Sequence, residues 1–165
     1  MNEEEFDRIV YKHQGIIWKV CRTFFRDKED QKDLFQDILL RLWKGSALFQ
    51  NKSKITTWIY RVSLNQAIDK SRKVKLKTTA LSTTISAQIA EQHKNSNTEY
   101  DIEALYLAIA RLIPLEKALI VLYLEQMPYK EISEIIGLSE KNVSVKLVRI
   151  KEKLKVHYEQ ITKVN

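Results

Sequence analysis

The sequence holds 165 residues, 44% of them hydrophobic, with 3 Gly and 2 Pro, so breakers are scarce and helices are expected throughout. A net charge of +7 and a pI of about 9.4 suit a nucleic-acid partner better than an acidic substrate, while 21 Asp and Glu exclude a uniformly basic tail. The single Cys21 excludes an internal disulfide framework, the acidic start MNEEEFDRIV excludes a secretory signal, and no apolar run reaches membrane-spanning length, so a protein of the reducing cytoplasm is expected.

From Glu3 to Phe25 the positions Phe6, Ile9, Val10, Ile17, Val20, Cys21 and Phe24 follow helical spacing, with Gly15 as an interior weak point or break. A charged turn follows, and Asp30 is the expected N-cap of a helix over about Gln31–Lys44. There Leu34, Phe35, Ile38 and Leu42 face inward, and Asp33, Gln36, Asp37, Arg41 and Lys44 form the other face. A plain surface helix with an Asp37–Arg41 pair accounts for that face as it stands. Gly45 to Lys54 reads as a polar, basic loop, and Ile55 to Arg72 as the next helix. Ile55, Ile59, Val62 and Ala67 suit its core side. Trp58, Arg61, Asn65, Asp69 and Arg72 recur at helical steps as one stripe. Aromatics stack on exposed bases, Arg holds phosphates and Asn reads a base edge, so the stripe fits melted DNA. A core Trp58 beside solvated charges explains the same pattern.

The stretch from Lys73 to Thr98 turns polar, rich in Ser, Thr, Gln and Asn, and reads as a linker, with a transient helix around 85–92. Tyr100 to Ile113 is again helical, with Ile102, Leu105, Ile109 and Leu112 inward. Pro114 then opens a helix burying Ala118, Leu119, Leu122 and Tyr123. The last motif is PYKEISEIIGLSEKNVSVKLVRIKEKLK. Ile132, Ile135 and Ile136 mark one short helix, Gly137 its left-handed end, Leu138 a plug, and Ser139 the cap of a second helix. Val143, Leu147, Ile150 and Leu154 form that helix's greasy face. Lys141, Asn142, Ser144, Val145, Lys146, Val148 and Arg149 face away, as a recognition helix in a major groove requires. An ordinary helical hairpin with a solvated basic face shares the periodicity. About ten residues follow Lys155, so no further domain is expected. The expected fold is all-α: two small helical bundles, 1–73 and 100–165, joined by a polar linker over 74–99, with the helix–turn–helix in the second.

DLFQDILLRLWK and ITTWIYRVSLNQAIDKSRK in the first half, and IARLIPLEKALIVLYLEQMPYKEISEIIGLSEKNVSVKLVRIKEKL in the second, together resemble the bacterial sigma factors of the extracytoplasmic-function group, within the sigma-70 family. The resemblance covers nearly all of the chain outside the linker. It implies transcription initiation: binding to core RNA polymerase, through the β′ clamp helices and the β subunit, and to promoter DNA. The family's clamp-gripping helix carries over to Asp33, Gln36, Asp37 and Arg41. Its −10-melting and base-capturing loop and helix carry over to Gln50, Asn51, Lys52, Lys54, Trp58, Arg61, Asn65, Asp69 and Arg72. Its −35-reading helix carries over to Lys141, Asn142, Ser144, Val145, Lys146 and Arg149. The family's linker runs through the polymerase, which gives 74–98 a partner. Such factors are usually held by an anti-sigma protein, often membrane-bound.

The recognition helix departs from the family's usual Thr-Val-Lys, showing Asn142-Val143-Ser144 instead. Exposed valines touch thymine methyls, so base preference is expected to differ. A polymerase-independent helix–turn–helix regulator explains the second half equally well, but not the Asp33/Gln36/Asp37 face or the Trp58 stripe. A metal-dependent nuclease built on Asp30, Asp33, Asp37 and Asp69 finds no support: His13, His93 and His157 are far apart, and phosphate-loop and nucleophile motifs are missing. No cofactor, metal, catalysis or small-molecule substrate is expected.

Overall fold

The computed structural model describes residues 1–80 and 97–163, in seven helices: α1 (Glu3–Phe24), α2 (Lys28–Ser46), α3 (Ile55–Ala80), α4 (Asn97–Ala110), α5 (Pro114–Leu124), α6 (Tyr129–Ile136) and α7 (Glu140–Lys163). The expected all-α fold is what forms, with no strand among the described residues.

Capping sets the boundaries. Asn2 and Glu5 form a reciprocal capping box on α1, with Glu5 N–H donating to Asn2 Oδ1 at 2.8 Å and Asn2 N–H to Glu5 Oε2 at 3.1 Å. Gly15 does not break this helix: it is exposed and needs no packing partner there. The cap of α2 is Asp27 rather than Asp30. Its carboxylate accepts from Glu29 N–H at 2.8 Å and Asp30 N–H at 3.1 Å, which moves the start back to Lys28. Pro114 is at the first position of α5, where Glu116 accepts from Ile113 N–H at 3.3 Å.

α3 continues through 74–80, the first residues expected to be linker. Val, Lys and Leu there carry no Gly or Pro to stop it. The rest of the expected linker, 81–96, lies outside the described residues, as does the helix expected at 85–92.

α1, α2 and α3 pack on one another; α4 packs on α7, and α5 on α6 and α7. Ile17, Val20, Leu34, Ile38, Ile59 and Leu64 are buried in the first group, and Leu119, Leu122, Ile132, Val143 and Leu147 in the second. Full burial of each such side chain contributes about 1.5–3 kcal/mol. Cys21 lies wholly inside the first group, and burial pushes its thiol pKa up to about 12.

Ile102, expected inward, is 45% exposed. Ala104 and Ala108 take the buried face of α4, because small side chains let it approach α7 closely. Tyr123, Ile136 and Leu154 pack against the core only in part.

The two groups also pack on each other. α3 lies against α5 and α6, and α1 against α4 and α5, so the buried side chains of both join in one cluster.

Gly137 closes α6 at φ 81°, with its N–H donating to Ser133 O. A Cβ there would meet nothing within 4 Å, so the only obstacle to a side chain is the left-handed backbone. Gly137→Ala is therefore expected to lower stability by about 1–2 kcal/mol, read by urea unfolding; an unchanged midpoint would contradict this account.

Candidate nucleic-acid and polymerase interfaces

The helix–turn–helix is assembled as its residues demand. Ser139 Oγ accepts from Asn142 N–H at 3.2 Å, capping α7, and Ser133 Oγ donates to Leu138 O across the turn. Val143, Leu147 and Ile150 are fully buried against α5 and α6. Lys141, Asn142, Lys146 and Arg149 are exposed on the outer face, with Val145 and Val148 between them; Ser144 is half-buried at its edge. A rigid inner seam thus fixes a basic outer face that carries donors and two valine methyl surfaces, the chemistry a major groove reads.

The loop before α3 exposes Gln50, Asn51, Lys52 and Lys54. Asn51 takes a left-handed conformation at φ 55°, which asparagine tolerates. Phe49, Asn51, Met1, Glu5, Arg8 and Ile9 line an open groove of about 420 Å³ under this loop. Trp58 is half-buried: its ring packs on Phe49, centroids 4.8 Å apart, and over Gly45. It therefore props the loop as well as edging the stripe. Asn65, Asp69 and Arg72 are exposed along α3. Arg61 is half-buried, its Nη2 donating to the Glu134 carbonyl at 3.3 Å. Lys54 Nζ pairs with Glu131 Oε1 at 2.9 Å.

On α2, Asp33, Gln36 and Arg41 are exposed and Asp37 is half-buried. The Asp37–Arg41 pair suggested by spacing is not what forms. Asp37 Oδ2 pairs with Lys70 Nζ at 2.7 Å, while Arg41 donates to Gln66 Oε1 at 3.3 Å, so both tie α2 to α3. Leu40 and Trp43, 53% and 42% exposed, add an apolar element to the α2 surface that the charge pattern did not single out.

Acids of the second half meet bases of the first in several places. Glu103 pairs with Arg26 and with Arg22, and the Arg22 guanidinium also lies 4.2 Å from the Tyr106 ring centroid. Glu125 pairs with Lys19. Beside it Tyr60, 2% exposed, finds no hydrogen-bond partner for its hydroxyl among the described residues; burial, and then the Glu125 charge, raise its pKa. Nothing in the spacing of Glu103, Glu125 or Glu131 marks them as partners of residues so distant in sequence. Among the described residues no cluster of His, Cys, Asp and Glu has the makings of a metal site. Among them too, no helix is long and apolar enough to cross a membrane.

Residues 9–76 match the Sigma-70 region 2 family, and residues 102–154 match Sigma-70, region 4. The chain is 25% identical over 154 residues to the ECF RNA polymerase sigma factor SigM of Bacillus subtilis, covering 92% of this chain and 94% of that protein. It is 29% identical over 170 aligned positions to the RNA polymerase sigma factor YlaC of the same organism, covering 87% and 92%. Among solved structures, the sigma factor RpoE in complex with the anti-sigma factor NepR, from Bartonella quintana, matches with a TM-score of 0.70 at 17% identity, over 98% of this chain and 99% of that one. CnrH in complex with the cytosolic domain of CnrY matches with a TM-score of 0.64 at 20% identity, over 94% and 88%. At such identities the structural likeness is one of fold. Two sigma-70 regions in order along one chain, with relatives aligned nearly end to end, make this protein a member of the sigma-70 family, in its extracytoplasmic-function group.

Proposed function

We propose that the chain initiates transcription by docking on core RNA polymerase through the α2 face and reading two promoter elements with its two halves. Asp33, Gln36 and Arg41, with Leu40 beside them, would meet the β′ clamp helices, and Asp37 would serve mainly by fixing α2 to α3 through Lys70. Gln50, Asn51, Lys52, Lys54, Arg61, Asn65, Asp69 and Arg72 would hold the opened −10 strand over the loop groove, with Trp58 as its support. Lys141, Asn142, Ser144, Val145, Lys146 and Arg149 would read the −35 duplex. The protein makes and breaks no bonds in this reading. It supplies phosphate contacts that position DNA and base contacts that specify it. It works in the cytoplasm, where its polymerase is. The solved complex of RpoE with NepR supports an anti-sigma partner for this chain as well.

The observation that carries the reading is the exposed, capped recognition helix α7 in the same chain as the region 2 surface. Run-off transcription with purified core polymerase and a promoter library tests it: initiation from a subset sharing two spaced elements is expected only when this protein is added. Specific DNA binding by the protein alone, with no initiation, would instead establish a polymerase-independent regulator.

A further inference from the structure

Resting on the −35 reading of α7, we propose that Val145 and Val148 set its sequence preference, by reading the C5 methyl groups of thymines in two successive base pairs. Val143, Leu147 and Ile150 are buried and fix the inner side of α7. At about 100° per residue, the direction opposite that seam falls on Val145. Val148 and Arg149 lie to either side of it, one turn further on. The valines are 45% and 53% exposed, where a solvated helix face carries polar side chains. The middle of the surface offered to the groove is thus apolar, and its bases stand around it. Lys141 is exposed one turn before Val145, and Lys146 and Arg149 at the edges.

An apolar centre is not neutral toward sequence. In the major groove thymine presents a methyl group, guanine two acceptors and cytosine an amine. Pressed under a valine, the polar groups of a G·C pair lose water and gain no partner, which is unfavourable. A thymine methyl under the same valine leaves water at no such cost, and apolar area is buried on both sides. Recognition-helix residues three apart meet successive base pairs, since about 4.5 Å of helix rise is close to the about 3.4 Å between pairs. Val145 and Val148 have that spacing, so each takes one thymine and the two thymine-bearing pairs are neighbours. Lys and Arg around them hold phosphates and place the helix, a role indifferent to sequence.

Selection of duplexes randomised over the −35 region, by core polymerase carrying this protein, tests the assignment. Two neighbouring thymine-bearing pairs are expected to be enriched. Uracil differs from thymine only by the methyl, and replacing either thymine by uracil is expected to weaken binding about threefold to fivefold. A G·C pair at either position is expected to cost about tenfold or more. Val145→Ala is expected to erase the uracil penalty at one of the two positions and Val148→Ala at the other. Lys146→Ala weakens thymine and uracil duplexes alike. Both valines are exposed, so their alanine variants are expected to keep the wild-type Tm and polymerase affinity. Uracil bound as well as thymine, or penalties that survive both valine substitutions, would overturn the proposal. So would valine variants that lose polymerase affinity and keep the thymine preference, which would set this face against protein. Failure of the −35 reading itself shows separately, as selection that enriches no sequence at all over that region.

Discussion

Leu147→Ala is expected to remove about 2–5 kcal/mol of stability, a large share of the 5–15 kcal/mol typical of a folded domain. Leu147 is fully buried on the inner face of α7, within the seam formed with α5 and α6. Truncation leaves a cavity that helices already held by caps and a tight turn have little room to close. The recognition helix then loses its fixed orientation, and binding to promoter duplex falls with it. Lys146 gives the contrast. It is the preceding residue, but exposed, and Lys146→Ala is expected to leave stability within about 0.5 kcal/mol of wild type. Its effect belongs to DNA: weaker binding across all sequences, with the salt slope reduced by about one. Urea unfolding and salt titrations of polymerase–promoter binding separate the two. Equal stability losses at 146 and 147 would show that the assigned faces of α7 are wrong.

Asp33→Lys is expected to weaken binding to core polymerase by about 30-fold or more, about 2 kcal/mol, with stability unchanged. Asp33 is exposed on α2, and reversal of its charge sets a like charge against whatever base receives it. Asp37→Ala is expected to behave differently, because its carboxylate is already engaged by Lys70. Part-exposed as that pair is, its loss is expected to lower stability by no more than about 1 kcal/mol and polymerase affinity only indirectly. Competition binding with labelled core polymerase reads both. An Asp33→Lys variant that binds like wild type would remove this face from the docking surface.

The helix–turn–helix was legible residue by residue because every signal is local. A glycine at a left-handed position, a serine three residues before the amide it caps, and apolar positions on one helical face lie within one short stretch. The cap of α2 was misread by three residues because Asp27 and Asp30 are both plausible acids, and only the chain's exit from α1 decides between them. Ile102 was placed inward on hydrophobicity, yet alanines make the contact, since proximity of α4 to α7 matters more there than side-chain size. The stripe from Trp58 to Arg72 is real as a helical register, but Trp58 has one side on Phe49 and Gly45, a contact set by the loop's path. What the sequence concealed altogether was the closure of one half on the other. Lys54 and Glu131, or Arg26 and Glu103, are 77 residues apart, and neither local spacing nor composition pairs them.

Cys21 is the one cysteine in the chain, and it sits at 0% exposure with its thiol held in the protonated form. Oxidants attack the thiolate, and they must reach it. While the chain is folded, the Cys21 thiol is therefore shielded from peroxide and from disulfide exchange. Oxidation of Cys21 therefore requires the first group of helices to open, and the rate of thiol modification would report that opening.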